Sequence, residues 1–130
     1  MRVLIIDDSM VIRKLVARTL LQAGLDLTET LHAANGAEGI AAVEKAAAEG
    51  RPLDLILCDV HMPVMSGLDF LLEKQRRNLA PDVPVVMITV DGSDPQVIKA
   101  VGLGAQGFVS KPFTLQQVQT LVASLLLDPA

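Results

Sequence analysis

Five short apolar segments, each followed by a helical pattern, constrain the fold of this chain more than any other feature. The segments begin 24 to 30 residues apart, about the length of one strand plus one crossover helix. The first, third and fourth lack apolar–polar alternation, which is typical of parallel strands covered by helices on both faces. The predicted strands are Arg2–Ile6, Thr28–Ala33, Leu53–Cys58, Val83–Val90 and Gly107–Ser110.

Capping residues mark the helices between and after these strands. The first helix follows Asp8 and ends at Gly24; the others begin at Asn35 with Glu38, Ser66 with Asp69, Asp94 before Pro95, and Thr114. The pattern predicts one (βα)5 domain over residues 1–130, an α/β fold with a doubly wound parallel five-stranded sheet. We take the strand order 2-1-3-4-5 from known flavodoxin-like domains of this size, because the residues alone do not give it.

Composition excludes several classes of function. Apolar residues make up 51% of the 130 residues, charged residues 20%, and the net charge is −4. The longest basic run is Arg76-Arg77, so we expect no direct binding to nucleic acid or to an anionic membrane. The single cysteine, Cys58, fits a reducing compartment, and no apolar run is long enough to cross a membrane. These features predict a soluble, cytoplasmic protein.

Reactive side chains are placed where the predicted strands end. Asp7 and Asp8 follow strand 1, Asp59 closes strand 3, Thr89 closes strand 4 and Lys111 follows strand 5. The carboxyl ends of parallel strands meet at one edge of the sheet, so three carboxylates should converge there. Their mutual repulsion would either raise a pKa or demand a cation, and a small number of hard oxygen ligands suits Mg²⁺. A carboxylate is also a competent phosphoryl acceptor, and a neutral donor and a lysine would stabilise the transferred group.

Four sequence fragments together resemble the receiver domain of two-component response regulators. They are Leu4-Ile5-Ile6-Asp7-Asp8-Ser9, Cys58-Asp59-Val60-His61-Met62-Pro63 with Gly67, Ile88-Thr89, and Ser110-Lys111-Pro112-Phe113. The resemblance covers essentially the whole chain, in order and at the family's spacing.

The resemblance implies a role for each matched residue. Asp59 would accept the phosphoryl group from a sensor histidine kinase or a phosphotransfer protein. The Mg²⁺ ligands would be Asp7, Asp8, Asp59 and the backbone carbonyl of His61. Thr89 and Lys111 would hold the phosphoryl oxygens, Phe108 would be the aromatic switch residue, and the Lys111–Pro112 bond would be cis.

Three residues occupy the positions at which the family tunes its reaction rates: His61, Val90 and Asp91. The family often has a small residue after the threonine, so the branched Val90 is expected to narrow access to the site. His61 and Asp91 are expected to pair across its mouth.

Three other functions are known for chains of this general pattern. A haloacid-dehalogenase-type phosphatase carries Asp-x-Asp after its first strand, whereas Asp7 and Asp8 are adjacent here. A flavodoxin-like FMN binder would need a Ser/Thr/Gly phosphate loop at that point and usually has aromatic residues around the flavin. The remaining alternative is a degenerate receiver that acts as an unphosphorylated binding module, and the intact acceptor, acidic pair, threonine and lysine argue against it.

The expected output is a protein–protein contact through helix 4, strand 5 and helix 5. Helix 5 contains no charged residue and helix 4 only Lys99, so the charged network of DNA-binding regulators is missing from this face. The chain ends at Asp128-Pro129-Ala130, without a linker to an effector domain. We therefore expect a free-standing, CheY-like, monomeric regulator that acts on a separate target protein.

Overall fold

A computed structural model describes residues 1–111 and 114–127 of the chain. Five parallel strands form one sheet in the order β2-β1-β3-β4-β5, which confirms the expected order. The strands are β1 Arg2–Ile6, β2 Glu29–Ala33, β3 Leu55–Asp59, β4 Val85–Thr89 and β5 Gly107–Ser110. The helices are α1 Met10–Gln22, α2 Gly36–Ala48, α3 Gly67–Arg76, α4 Pro95–Gly102 and α5 Leu115–Leu127.

The three central strands are buried along their whole length, as their continuous apolar sequences predicted. Successive side chains point to opposite faces of the sheet, so each strand contributes to two cores. Leu4, Ile56 and Met87 belong to the core that includes residues of α2, α3 and α4. Val3, Leu57 and Val86 belong to the other core, with residues of α1 and α5.

The predicted caps are present. The Ser9 hydroxyl accepts from the Ile12 amide, Asn35 from Glu38, Ser66 from Asp69, Asp94 from Gln96, and Thr114 from Gln117. Each bond satisfies an amide that the first turn of a helix leaves without an internal partner. Local sequence therefore determines where these helices begin, and each beginning follows the carboxyl end of a strand.

Strands β3 and β4 begin two residues later than predicted. Leu53 is buried, but its apolar side chain packs in the core ahead of the hydrogen-bonded ladder. The Val83 amide closes a turn onto the Ala80 carbonyl at 3.1 Å. A run of apolar residues therefore indicates which residues are buried, but the hydrogen-bonded strand is shorter than the run. Among the described residues, none of the helices has the length and apolar character that crossing a bilayer would require.

Candidate functional site

The register of the sheet brings the predicted acidic residues together. Ile6 of β1 pairs with Cys58 of β3, so the next residues, Asp7 and Asp59, lie side by side where the two strands end. Asp8 follows in the loop to α1. One carboxylate oxygen from each of the three residues lies within 4.8 Å of the others. The convergence expected from the sequence is therefore present.

Burial and charge make this cluster electrostatically demanding. Asp59 is only 6% exposed, and burial, followed by the negative charge of Asp7, raises the pKa of its carboxyl group. Lys111 opposes this rise: its amine lies 3.5 Å from Asp59 Oδ2 and 3.2 Å from Asp7 Oδ2. One lysine therefore faces two buried carboxylates, and the cluster keeps an excess of negative charge.

The donor set fits a hard divalent cation. Asp7 Oδ2 is fully buried and accepts no hydrogen bond from the described residues, although the Lys111 amine is near. The His61 carbonyl, in the loop after β3, likewise accepts no hydrogen bond within the described part of the chain. Carboxylate and carbonyl oxygens are the ligands that Mg²⁺ prefers, and its remaining positions are normally filled by water or phosphate oxygens. The residues at the site are thus suited to Mg²⁺.

Backbone contacts hold the acidic loops in place. A side chain at Gly67 would collide with the Asp59 carbonyl, so glycine allows α3 to begin directly against β3. The Asp7 carbonyl accepts from the Arg13 guanidinium at 2.6 Å, and its Oδ1 accepts from the Ser9 amide at 2.9 Å. Sequence reasoning missed Arg13. The available signal was its place on α1, one turn beyond the Ser9 cap, beside the site.

Thr89 lies at the end of β4 and is 2% exposed. Its hydroxyl donates to the Asp91 carbonyl at 3.1 Å and accepts from the Asp91 amide at 3.1 Å. In this arrangement the hydroxyl proton points to the β4–α4 loop. Thr89 is therefore tied to this loop through both the donor and the acceptor of its hydroxyl group.

Phe108, the residue predicted as the aromatic switch, lies on β5 and is 44% exposed. Its ring packs over Gly92 of the β4–α4 loop. An added Cβ at Gly92 would lie only 2.5 and 2.7 Å from two ring atoms, so the ring occupies the space that a side chain would take. Phe108 is paired with Met87, two residues before Thr89, so Phe108 and Thr89 lie on the same face of the sheet and contact the same loop.

The expected pairing between His61 and Asp91 is wrong. His61 Nε2 lies 2.5 Å from Asp94 Oδ2, while the Asp91 carboxylate is bound by the amide and hydroxyl of Ser93. The bond from His61 holds the pKa of Asp94 below its usual value, and the bonds from Ser93 lower that of Asp91. Asp91 is bound by Ser93, two residues away, whereas Asp94, the cap of α4, reaches His61 in the loop after β3.

The other predicted rate-tuning residue, Val90, is 75% exposed beside the site. The Lys111–Pro112 bond, expected to be cis, lies outside the described residues because Pro112 is not among them.

Comparison with known proteins agrees with this geometry. A family model described as the response regulator receiver domain matches residues 3–123. The chain is 34% identical to the chemotaxis protein CheY1 of Helicobacter pylori over 89% of both chains. The structure of CheY4 from Vibrio cholerae is similar with a TM-score of 0.78 and 32% identity, over 95% of this chain and 97% of that one. A CheX–CheY–BeF₃–Mg²⁺ complex from Borrelia burgdorferi gives a TM-score of 0.78 at 28% identity, over 98% and 90%.

Proposed function

Because the chain belongs to the response regulator receiver family, we propose that it accepts a phosphoryl group on Asp59 in a Mg²⁺-dependent reaction. The family acts in phosphorelay signalling, and its members are signalling proteins rather than classical enzymes. The proposed donor is a sensor histidine kinase or a phosphotransfer protein, which places the reaction in the cytoplasm, where ATP is available. The observation that carries the proposal is the convergence of Asp7, Asp8 and Asp59 with Lys111.

The residues suit phosphoryl transfer by position and charge. An oxygen of Asp59 forms the new bond to phosphorus as the bond from phosphorus to the donor atom breaks, leaving an acyl phosphate on the chain. Bound Mg²⁺ would neutralise charge on the phosphoryl oxygens. Asp7, Asp8, Asp59 and the His61 carbonyl would hold that ion. Lys111, now between two carboxylates, would turn to a phosphoryl oxygen.

Intact mass spectrometry after incubation with acetyl phosphate and Mg²⁺ tests the acceptor. The wild-type protein should gain one phosphate, and Asp59→Asn should gain none. Asp82→Asn serves as the matched control, because it changes an exposed carboxylate that is not part of the acidic cluster. This variant should react like the wild type. Chelation of Mg²⁺ should prevent the gain. An equal mass increase in Asp59→Asn would refute the assignment.

We further propose that phosphorylation moves Thr89 and Phe108 together. The phosphoryl group adds about −1.5 to −2 charges beside the site. When the Thr89 hydroxyl donates to a phosphoryl oxygen it must leave the Asp91 carbonyl, and the loop carrying Gly92 loses that anchor. Because the Phe108 ring packs on Gly92, the same movement of the loop changes the surface on which the ring packs. His61, Val90 and Asp91 remain the residues proposed to tune loss of the phosphoryl group, which the chain would hydrolyse by itself.

The proposed output is binding of a separate target protein by the face formed by α4, β5 and α5. Four apolar side chains on this face are exposed: Ile98, Val101, Phe108 and Leu115. A shallow cavity of about 630 Å³ lies between β5 and α5, lined in part by Phe108, Gln117 and Leu121. Residues 115–127 carry no charge, so a partner would bind through apolar contacts and neutral hydrogen bonds.

A single-domain, monomeric regulator fits these observations. The matched segment covers 89% of CheY1 of H. pylori, and we propose that residues 1–130 form one receiver domain of this kind. Sedimentation velocity of the protein with acetyl phosphate and Mg²⁺ should show a monomer at micromolar concentration. The Asp59→Asn variant under the same conditions is the control. A dimer that forms only in the phosphorylated wild type would assign this face to self-association instead.

A further inference from the structure

A cavity of about 250 Å³ lies at the opposite, amino-terminal edge of the sheet, away from the acidic cluster. It is bounded by the end of α3, the connection from α3 to β4, and the turn that follows α4. Pockets for drug-sized ligands usually measure about 300–1,000 Å³, so this one suits a smaller molecule. The residues that matter for its chemistry are Lys74, Gln75, Asn78, Asp82 and Gln106.

Lys74 is the buried charged residue that lines this cavity. The residue is 9% exposed, and within residues 1–111 and 114–127 no carboxylate lies within 4.0 Å of its amine and no hydrogen bond reaches it. The amine is not fully enclosed and keeps some contact with solvent. Partial loss of hydration without a counter-ion is still unfavourable, and burial accordingly lowers the pKa of Lys74.

The other polar residues that line the cavity do not pair with the Lys74 amine, and most of them are neutral. Asp82 also lines the cavity, but its side chain is exposed and does not reach the Lys74 amine. Gln75, Asn78 and Gln106 also line the cavity; all three are exposed residues whose carboxamides carry N–H donors. Lys74 as a whole residue is 91% covered while it lines the cavity, and its amine is the part that is not fully enclosed.

Two residues that line the cavity have a left-handed backbone conformation. Asn78, after α3, has φ 51°, and Gly104, after α4, has φ 108°. Asparagine and glycine tolerate this conformation, so these turns bound the cavity without appreciable strain.

We propose that this cavity binds a small anion, a carboxylate or a phosphate, with the Lys74 ammonium as its charge partner. The carboxamides of Asn78 and Gln106 would supply further hydrogen bonds to its oxygens. A bound anion would contact both α3 and the turn after α4. Since α4 is part of the proposed target-binding face, the cavity would give that face a second input, separate from Asp59.

Amide NMR titration tests the proposal, with inorganic phosphate and succinate as separate probes and sodium chloride to match ionic strength. Mg²⁺-free buffer separates this cavity from the acidic cluster, and shifts are followed at Asn78, Gly104 and Gln106. Lys74→Met keeps the aliphatic stem but removes the charge, and it should weaken binding at least about tenfold. Lys45→Met, which changes an exposed lysine outside the cavity, should bind like the wild type.

The outcomes separate cleanly. Saturable shifts with phosphate alone would identify a phosphate site, with succinate alone a carboxylate site, and with both a site for either anion. Each of these results supports the proposal if Lys74→Met weakens binding at least about tenfold. Lys74→Gln repeats the test with a polar neutral side chain, and thermal unfolding checks that both variants are folded. Absence of saturable shifts with both probes, or equal shifts in wild type and Lys74→Met, would overturn it. The result does not depend on whether Asp59 is phosphorylated.

Discussion

Replacement of Asp59 by asparagine should stabilise the folded protein at pH 7 when divalent metal is absent. The Asp59 carboxyl is 6% exposed, and its pKa is raised above the ordinary value of 3.8, first by burial and then by Asp7. A raised pKa means that the folded state binds the proton more tightly than the unfolded chain does. At pH 7 the ionised carboxylate therefore lowers the free energy of unfolding. Asparagine has nearly the same shape and removes the charge.

The change in the free energy of unfolding depends on attraction of Asp59 to Lys111, repulsion from Asp7, and desolvation of the carboxylate. With an effective dielectric constant of about 20, the 3.5 Å separation of Lys111 and Asp59 corresponds to about 4.7 kcal/mol of attraction. The carboxylate oxygens of Asp7 and Asp59 lie within 4.8 Å, which gives at least about 3.5 kcal/mol of repulsion. Because these nearly cancel, desolvation decides the sign. We therefore expect Asp59→Asn to raise the free energy of unfolding by about 0.5–2 kcal/mol, the usual range for a stabilising substitution.

Urea unfolding of the two proteins in EDTA measures this difference. Asp82→Asn, at an exposed position, should change the free energy of unfolding by less than about 0.5 kcal/mol. The sign with pH is also defined: wild-type stability relative to Asp59→Asn should fall as pH rises from 3.8 through the raised pKa. Below 3.8 the difference should vanish, because Asp59 is then neutral in both states. Saturating Mg²⁺ should stabilise the wild type more than the variant.

Two results would refute this reasoning. If Asp59→Asn is as stable as the wild type or less so at pH 7 in EDTA, charge burial does not dominate at this position. If the gain persists unchanged at low pH, it arises from packing or hydrogen bonding and not from ionisation.

Three further substitutions probe the surroundings of the site, and a fourth serves as a control. Lys111→Ala should allow phosphorylation but reduce the amide shifts remote from the acceptor, since a charge-assisted bond contributes about 1.5–3 kcal/mol to the switch; a full wild-type shift pattern would contradict this. Val90→Ala should speed phosphorylation by acetyl phosphate, and equal rates would remove the steric argument. Gly92→Ala should displace the Phe108 ring, seen as changed ring resonances, and cost about 1–3 kcal/mol. Gly102→Ala, where an added Cβ meets no atom within 4 Å, should leave that ring unchanged.

The sequence by itself determined the elements and the edge where the reactive residues meet. Continuous apolar runs reported burial on both faces, and Ser9, Asn35 and Ser66 marked helix starts through bonds to amides only three residues away. Such signals are local, so they can be read without the tertiary structure. Parallel strands then place their carboxyl ends at one edge of the sheet. Together with the strand order taken from known flavodoxin-like domains, this predicted that Asp7 and Asp59 converge.

The tertiary structure decided which side chains are partners. His61 pairs with Asp94 and not with Asp91, because Ser93 binds Asp91 locally while the α4 cap reaches across to the β3–α3 loop. The place of Phe108 on Gly92 depends on how a loop lies over a strand 16 residues later in the chain. The burial of Lys74 beside a cavity depends likewise on three separate segments. These contacts join residues far apart in sequence, and spacing along the chain does not encode distances set by packing.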